Sequence, residues 1–75
     1  MKEVIIDSNN ENQRIDKFLL KYFGNMPKSF LHKMLRKKNI KLNGSKIEGN
    51  EIIKKDDSIK IFLSDETILN FLILI

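Results

Sequence analysis

The chain has 75 residues, 41% of them hydrophobic and 32% charged, and this composition predicts one folded domain with a single compact core. Because it has no cysteine, disulfides, thiol nucleophiles and thiolate metal sites are excluded, and its longest apolar run, residues 71–75, is far shorter than the ~20 residues of a membrane span. The net charge of +4 is by itself only a weak indication of a polyanionic partner. The missing cysteine and the short apolar runs predict a soluble cytoplasmic protein without a membrane partner.

The first third of the chain predicts a strand followed by an amphipathic helix. Residues 4–6 are β-branched and apolar, which favours a short strand. Apolar residues then recur over residues 15–23 at the spacing of one helix face. We expect this helix to begin at about Gln13, with Asn12 as its N-cap, and to end before Gly24, which suits the left-handed position after a helix.

A second helix and a β-hairpin follow. Pro27 suits the first turn of the second helix. The buried side of this helix would carry four apolar residues, Phe30, Leu31, Met34 and Leu35. Because only residues 24–26 separate the two helices, they should form a tight pair similar to a helix-turn-helix. The apolar period then changes to two, and Asn43-Gly44, between residues 40–42 and 45–47, is typical of a two-residue hairpin turn.

The C-terminal part predicts one more strand. Residues 58–63 alternate, with Lys60 and Phe62 on the face opposite Ile59 and Ile61. The order of elements is strand, two helices, hairpin, loop and strand. This order predicts an α+β fold, in which the helix pair packs on a small, mostly antiparallel sheet.

The chain ends in an apolar tail. Ser64 or Asp65 could cap a short helix that begins near Glu66. We expect residues 1–67 to form the domain and residues 68–75 to be a tail of unsettled role. The tail could be a truncated inter-domain linker, an added strand or a homodimer contact, and the last possibility keeps a protein-interaction or assembly module open as an alternative function.

Basic and acidic residues are segregated along the chain. Between Lys17 and Ile47 there is no Asp or Glu, and all ten acidic residues lie outside this window. The window contains nine basic residues, Lys17, Lys21, Lys28, Lys33, Arg36, Lys37, Lys38, Lys41 and Lys46. Such segregation builds a field of one sign, which attracts a polyanion. The alternative is a solvated face that serves only solubility, which interspersed acids would serve at least as well.

Little in the chain points to catalysis. The one histidine, His32, has no carboxylate within a helical turn to fix its tautomer, and Ser29 has no partner base nearby in sequence. No cluster of His, Cys or acidic residues predicts a metal site, and Gly24, Gly44 and Gly49 are isolated turn residues. We therefore expect no catalytic residue, no metal and no cofactor.

Nucleic-acid binding has more support. The second helix exposes basic residues, Ser29 and His32, and if the hairpin packs beside it, Lys41 and Lys46 extend the same cationic surface. The chain has no Trp and one Tyr, and the Phe residues of the helices fall on their buried faces, so stacking platforms for single strands are not expected. A surface of this kind favours folded RNA. DNA binding is a lower alternative, because the exposed face is dominated by Lys rather than by base-reading Arg, Asn or Gln.

Three segments resemble the alpha-L RNA-binding domain, the S-four-type domain named after a small-subunit ribosomal protein. They are Arg-Ile-Asp-Lys-Phe-Leu at 14–19, Lys-Ser at 28–29 and Ile-Lys-Leu-Asn-Gly-Ser-Lys at 40–46. The most similar version is the N-terminal domain of large-subunit-type RNA pseudouridine synthases. Residues 62–67 also resemble the linker that ends this version of the domain. The resemblance covers about residues 12–67.

This resemblance implies a non-catalytic module that docks on structured RNA, ribosomal RNA above all. Such a module is either the targeting domain of a pseudouridine synthase or a stand-alone relative. Together with His32 and Lys38 of the basic window, the positions it implies give the expected RNA contacts: Arg14, Lys28, Ser29, His32, Lys33, Arg36, Lys37, Lys38, Lys41, Asn43 and Lys46.

The chain departs from the family in three respects. The family often has Arg where Lys28, His32 and Lys33 stand, and Gly-Asp where Asp56-Asp57 stands, so we expect strain at the Asp56 turn. The catalytic domain of the synthases, with its Arg-Leu-Asp motif, has no counterpart in these residues. The Arg-Ile-Asp of residues 14–16 is a different feature, which opens a helix of the RNA-binding module.

Overall fold

The computed structural model describes residues 1–71 and has the predicted α+β fold. Its elements, in chain order, are β1 (Lys2–Ile5), α1 (Ile15–Phe23), α2 (Lys28–Arg36), β2 (Ile40–Leu42), β3 (Ser45–Lys46), β4 (Ser58–Ile61) and α3 (Asp65–Phe71). The strands form one antiparallel sheet in the order β1-β4-β2-β3. The last strand of the chain therefore lies in the interior of the sheet, between the first strand and the hairpin.

One face of the sheet and the apolar faces of the helices form a single core. Ile40 on β2 is opposite Ile61 on β4, and both are fully buried together with Ile59. The helices bury most of the residues that their periodicity predicted, Ile15, Phe18, Leu19 and Phe23 from α1 and Leu31, Met34 and Leu35 from α2. Phe30, also predicted on the buried side of α2, is only partly buried and packs against the edge of this core. Each such side chain contributes roughly 1.5–3 kcal/mol when fully buried, so this shared core fixes the helix pair on the sheet.

The predicted N-cap of α1 was wrong. Asn12 lies in the left-handed region, with φ 65°, and its backbone N–H donates to the Ile53 carbonyl at 2.7 Å. The helix begins at Ile15, whose N–H donates to the Glu51 carbonyl, and the next N–H donates to the Gly49 carbonyl. Backbone carbonyls of a distant loop thus satisfy the free N–H groups that a side-chain cap would otherwise satisfy.

Helix α2 ends in a Schellman motif formed without glycine. The Asn39 N–H donates to the Met34 carbonyl at 3.0 Å, and the Lys38 N–H donates to the Leu35 carbonyl at 3.1 Å. Lys38 has φ 61° at the position that glycine usually occupies. The tight exit turns the chain directly into β2, so that the hairpin lies near the end of α2.

Two turns have the conformations that the sequence predicted. Asn43 and Gly44 have φ of 51° and 83°, as a type I′ hairpin turn requires. Asp56 has φ 72°, so the residue that stands where the family has Gly is held in a conformation that glycine adopts at lower cost. The positive φ on which the prediction of strain rests is therefore present.

The predicted C-terminal helix is present as α3. Ser64 caps it, because its hydroxyl oxygen accepts the Thr67 N–H at 3.2 Å. Ile68 is buried and the Phe71 ring lies 4.7 Å from the Phe30 ring, whereas Leu69 is 54% exposed. The helix continues past residue 67, and residues 72–75 of the predicted tail lie outside the described residues. No helix within residues 1–71 is long and apolar enough to cross a membrane.

Candidate nucleic-acid interface

A groove runs between the exposed side of α2 and the chain that follows β3. One part, of about 460 Å³, is lined by Ser29, His32, Leu35, Arg36, Ile47 and Glu48. The adjoining part, of about 380 Å³, shares the last four of these residues and adds Lys38 and Lys46. The structure therefore brings five of the eleven predicted contacts together at one open groove, with Leu35 and Ile47 as its apolar floor.

The charges that line the groove are predominantly positive. Arg36 and Lys38 come from the end of α2, and Lys46 comes from the hairpin. Within residues 1–71, the ion pairs join the N-terminal amine to Asp65 and Arg14 to Asp16, so none of these three cations is neutralised there. Open cations that converge from two parts of a chain can bind phosphate groups.

Glu48 is a groove residue that the sequence reasoning missed. It lies one residue beyond the acid-free window, in a loop that sequence alone did not place against α2. Its carboxylate is an acceptor among donors, which repels a phosphate but can accept a hydrogen bond from an amino or hydroxyl group. Nothing in its spacing or type could have indicated this position before the loop was placed.

The loop that carries Glu48 is held by a second carboxylate. Glu51 accepts the backbone N–H groups of Glu48 and Gly49, both at 2.8 Å. Burial raises the pKa of Glu51, but these hydrogen bonds outweigh it and leave the pKa below its usual range. Gly49 has φ 118°, and a Cβ there would come within 2.9 Å of the Leu35 side chain. The loop at residues 48–51, which forms one wall of the groove, is thus held by hydrogen bonds and packs closely against Leu35.

Three further predicted contacts of α2 lie outside the groove. Lys33 and Lys37 line a separate hollow with Phe30, Met34, Asn39 and Leu63. Lys28 is exposed at the first residue of the helix. The helix therefore presents basic residues on more than one side, and only the row of Ser29, His32 and Arg36 faces the loop after β3.

Arg14 is the predicted contact that is ion-paired. Its guanidinium donates to both Asp16 carboxylate oxygens, at 3.2 and 3.0 Å. Its backbone forms an isolated antiparallel bridge with Ile52. Arg14 therefore has an internal role at the start of α1, whatever it contributes to binding.

The two hairpin residues have different surroundings. Lys41 lies on the outer face of the sheet, where its ammonium is 5.7 Å from the centre of the Phe62 ring. Both ends of the Asn43 amide are used inside the chain: the nitrogen donates to Asp57 at 3.0 Å, and the oxygen accepts the Ser58 N–H at 2.9 Å. Asn43 thus ties the hairpin turn to the start of β4.

The described residues contain no group of three or more His, Cys, Asp or Glu side chains that could hold a metal ion.

Comparison with known proteins identifies the domain. Residues 2–59 match the family model of the RluD ribosomal pseudouridine synthase N-terminal domain. The chain is 33% identical over 70 residues to an "uncharacterized RNA pseudouridine synthase" of Mycoplasma capricolum, covering 92% of this chain and 23% of that protein.

Two relatives from Buchnera aphidicola are both named ribosomal large subunit pseudouridine synthase C. The relative from subspecies Baizongia pistaciae is 39% identical over 56 residues, and that from subspecies Schizaphis graminum is 33% identical over 58 residues. These matches cover 75% and 77% of this chain but 18% of each relative. The 75 residues thus correspond to about a fifth of such a synthase and do not contain its catalytic domain. The chain belongs to the family of RluD ribosomal pseudouridine synthase N-terminal domains.

Proposed function

We propose that this domain docks folded RNA, in the first place ribosomal RNA, in the groove between α2 and the segment after β3. The observation that carries the proposal is the convergence of Arg36, Lys38 and Lys46 on one groove without an ion pair to any of them within residues 1–71. The names of the relatives, which are RNA pseudouridine synthases, support RNA as the polyanion.

The residues that line the groove can contact different groups of the RNA. The planar guanidinium of Arg36 can hold a phosphate with two parallel hydrogen bonds, and Lys38 and Lys46 act as point charges beside it. Ser29 and His32 offer donors at the other end of the groove. Glu48 lies among these donors, where it disfavours a phosphate and favours a ribose 2′-hydroxyl or a base amino group.

The remaining predicted contacts extend this interface. Lys28, Lys33 and Lys37 add positive charge along α2, which attracts the RNA at longer range. Arg14 adds charge near the start of α1. Asn43 serves the interface by holding the hairpin in place, because its amide is already engaged.

We further propose that the domain presents RNA to a pseudouridine synthase catalytic domain and works in the cytoplasm. The support is the correspondence with the N-terminal domain of the family and the absence of cysteine from the sequence. A binding module that holds the RNA raises the local concentration of the target at a tethered active site.

The test is the affinity for a folded hairpin of large-subunit ribosomal RNA, measured by fluorescence anisotropy across a series of salt concentrations. We expect a slope of log affinity against log salt of roughly −3 or steeper, because several phosphates are neutralised. A slope near zero would contradict RNA docking. Equal affinity for a DNA hairpin of the same sequence would favour the DNA-binding alternative.

Three variants localise the site. Arg36→Gln removes a charged phosphate contact and should weaken binding about tenfold or more. Lys21→Gln is the matched control, because Lys21 is an exposed cation of the same basic window that lines a different hollow, beside Val4 and Ile5. Glu48→Gln should strengthen binding, since Glu48 is the one acid among the described residues that line the groove. Equal losses for Arg36→Gln and Lys21→Gln would show that the groove is not the site.

A further inference from the structure

The outer face of the sheet carries a row of lysines in register. Lys46 on β3 is directly opposite Lys41 on β2, and Lys41 is directly opposite Lys60 on β4. Residues directly opposite each other share one face of a sheet, and here the other face holds the buried Ile40, Ile59 and Ile61. Three like charges therefore stand side by side on three adjacent strands.

This arrangement costs stability in the isolated domain. Like charges directly opposite each other destabilise an antiparallel pair, and adjacent strands are only about 4.8 Å apart. The three Cα positions therefore span about 10 Å, which is no more than a Debye length at 0.1 M salt. A face that served only solubility would gain nothing by placing its lysines in register.

One acid, Glu3, stands beside the row on the neighbouring strand but forms no ion pair with it. Glu3 is directly opposite Lys60, and its carboxylate accepts a hydrogen bond from the Ser58 hydroxyl at 2.5 Å. No ion pair joins any of the three lysines to an acid in the part of the chain that the structure describes. Three lysines against this one carboxylate leave the row with a net positive charge that an external anion can bind.

Phe62 holds the middle of the row in place. Its ring is 45% exposed on the outer face, and the Lys41 ammonium lies 5.7 Å from the ring centre. Lys41 and Lys60 are half-buried, so their stems lie along the sheet. The cation–π contact and the packing of the stem partly order the Lys41 side chain. Lys41 therefore loses less side-chain conformational entropy when it binds an anion.

The row is continuous with the groove through Lys46, which lines the groove beside Arg36 and Lys38. We infer that the outer sheet face is a second part of the interface, on which Lys41 and Lys60 bind the phosphodiester backbone of the same RNA where it leaves the groove. This inference rests on the proposed RNA docking and adds Lys60, together with a sheet face, to the surface expected for it. The lysines stand in register, and Lys46 belongs to both the row and the groove. One continuous RNA strand can therefore occupy both surfaces.

The variants Lys60→Gln and Lys41→Gln test this inference on the same RNA hairpin, with Lys21→Gln as control. Each should weaken binding by about three- to tenfold near 0.1 M salt and make the salt slope shallower by roughly one unit. Each variant removes repulsion from the row, which offsets the loss of the Lys41 contact with Phe62 or of the charge opposite Glu3, so the urea midpoint should stay close to that of the parent. Lys60→Arg should retain the affinity. Loss of RNA affinity without loss of stability is a result that a structural role for Lys60 would not produce.

Amine acylation of the unmodified protein, read by mass spectrometry, gives a second measurement that needs no variant. Bound RNA should protect Lys60 and Lys41 from acylation and leave Lys21 reactive. If Lys60 stays reactive, or if Lys60→Gln binds within twofold of the parent while Arg36→Gln is weakened, the inference is wrong and groove docking stands. If the parent domain does not bind the RNA at all, the proposed function fails first.

Discussion

Replacing Asn43 by glycine tests whether this residue stabilises the hairpin through its side chain. Glycine keeps the positive φ of 51° and the backbone hydrogen bond to the Ser58 carbonyl at 2.7 Å. It removes the hydrogen bond from the side-chain amide nitrogen to Asp57 and the hydrogen bond from the Ser58 N–H to the side-chain amide oxygen. A neutral hydrogen bond contributes about 0.5–1.5 kcal/mol and one to a charged group about 1.5–3 kcal/mol, and exposure places both at the low ends of these ranges.

We therefore expect Asn43→Gly to lower the free energy of unfolding by about 2 kcal/mol. Asn43→Ala should lower it by about 3 kcal/mol, because alanine adds roughly 1 kcal/mol of left-handed strain. A domain of this size has a stability of about 4–11 kcal/mol, so both changes should be visible in urea unfolding followed by circular dichroism at pH 7.

The control for this pair is Asn50→Ala, at another exposed loop asparagine, which should change stability by less than about 0.5 kcal/mol. Two results would refute the reasoning. If Asn43→Gly matches the parent, the two side-chain bonds do not stabilise the fold. If the alanine and glycine variants are equally stable, the left-handed conformation at residue 43 is not a constraint.

Two further predictions concern the end of α2 and the acid side of the pH profile. Lys38→Gly should raise the free energy of unfolding by about 0.5–1 kcal/mol, because glycine suits the left-handed end of the Schellman motif, and Lys38→Ala, which keeps the strain, should bring no such gain in the same urea assay. The hydrogen bond from Asn43 and then that from the Lys54 N–H hold the pKa of Asp57 below its ordinary value of 3.8. A lowered folded-state pKa stabilises the fold above pH 3.8 and loses this effect as the pH falls through the folded-state value. The stability difference between the parent and Asn43→Gly should therefore be constant near neutral pH and narrow below about pH 4, and a difference that widens on acidification would argue against this coupling.

The parts of this protein that local sequence determines were predicted from it. The apolar stripe of α1 and that of α2 each lie within nine residues, and one helical period sets which side chains are buried. The turn at Asn43-Gly44 was predictable because positive φ at two successive positions is tolerated by few residue pairs. The positive φ of Asp56 agrees with the family resemblance, since a position that the family fills with glycine favours such a conformation.

Only the tertiary structure decided which residues meet. The start of α1 moved from the predicted residue 13 to Ile15 because the loop at 49–53 supplies carbonyls to residues 12–16. The same loop carries Glu48 to the groove, a contact between segments with no local signal. The row of Lys46, Lys41 and Lys60 depends on the register between β2 and β4, which are distant in sequence, and a slip of one residue would turn Lys60 to the core. The sequence by itself therefore determined the helices, the hairpin and the sign of the surface charge. Long-range pairing decided where that charge is concentrated.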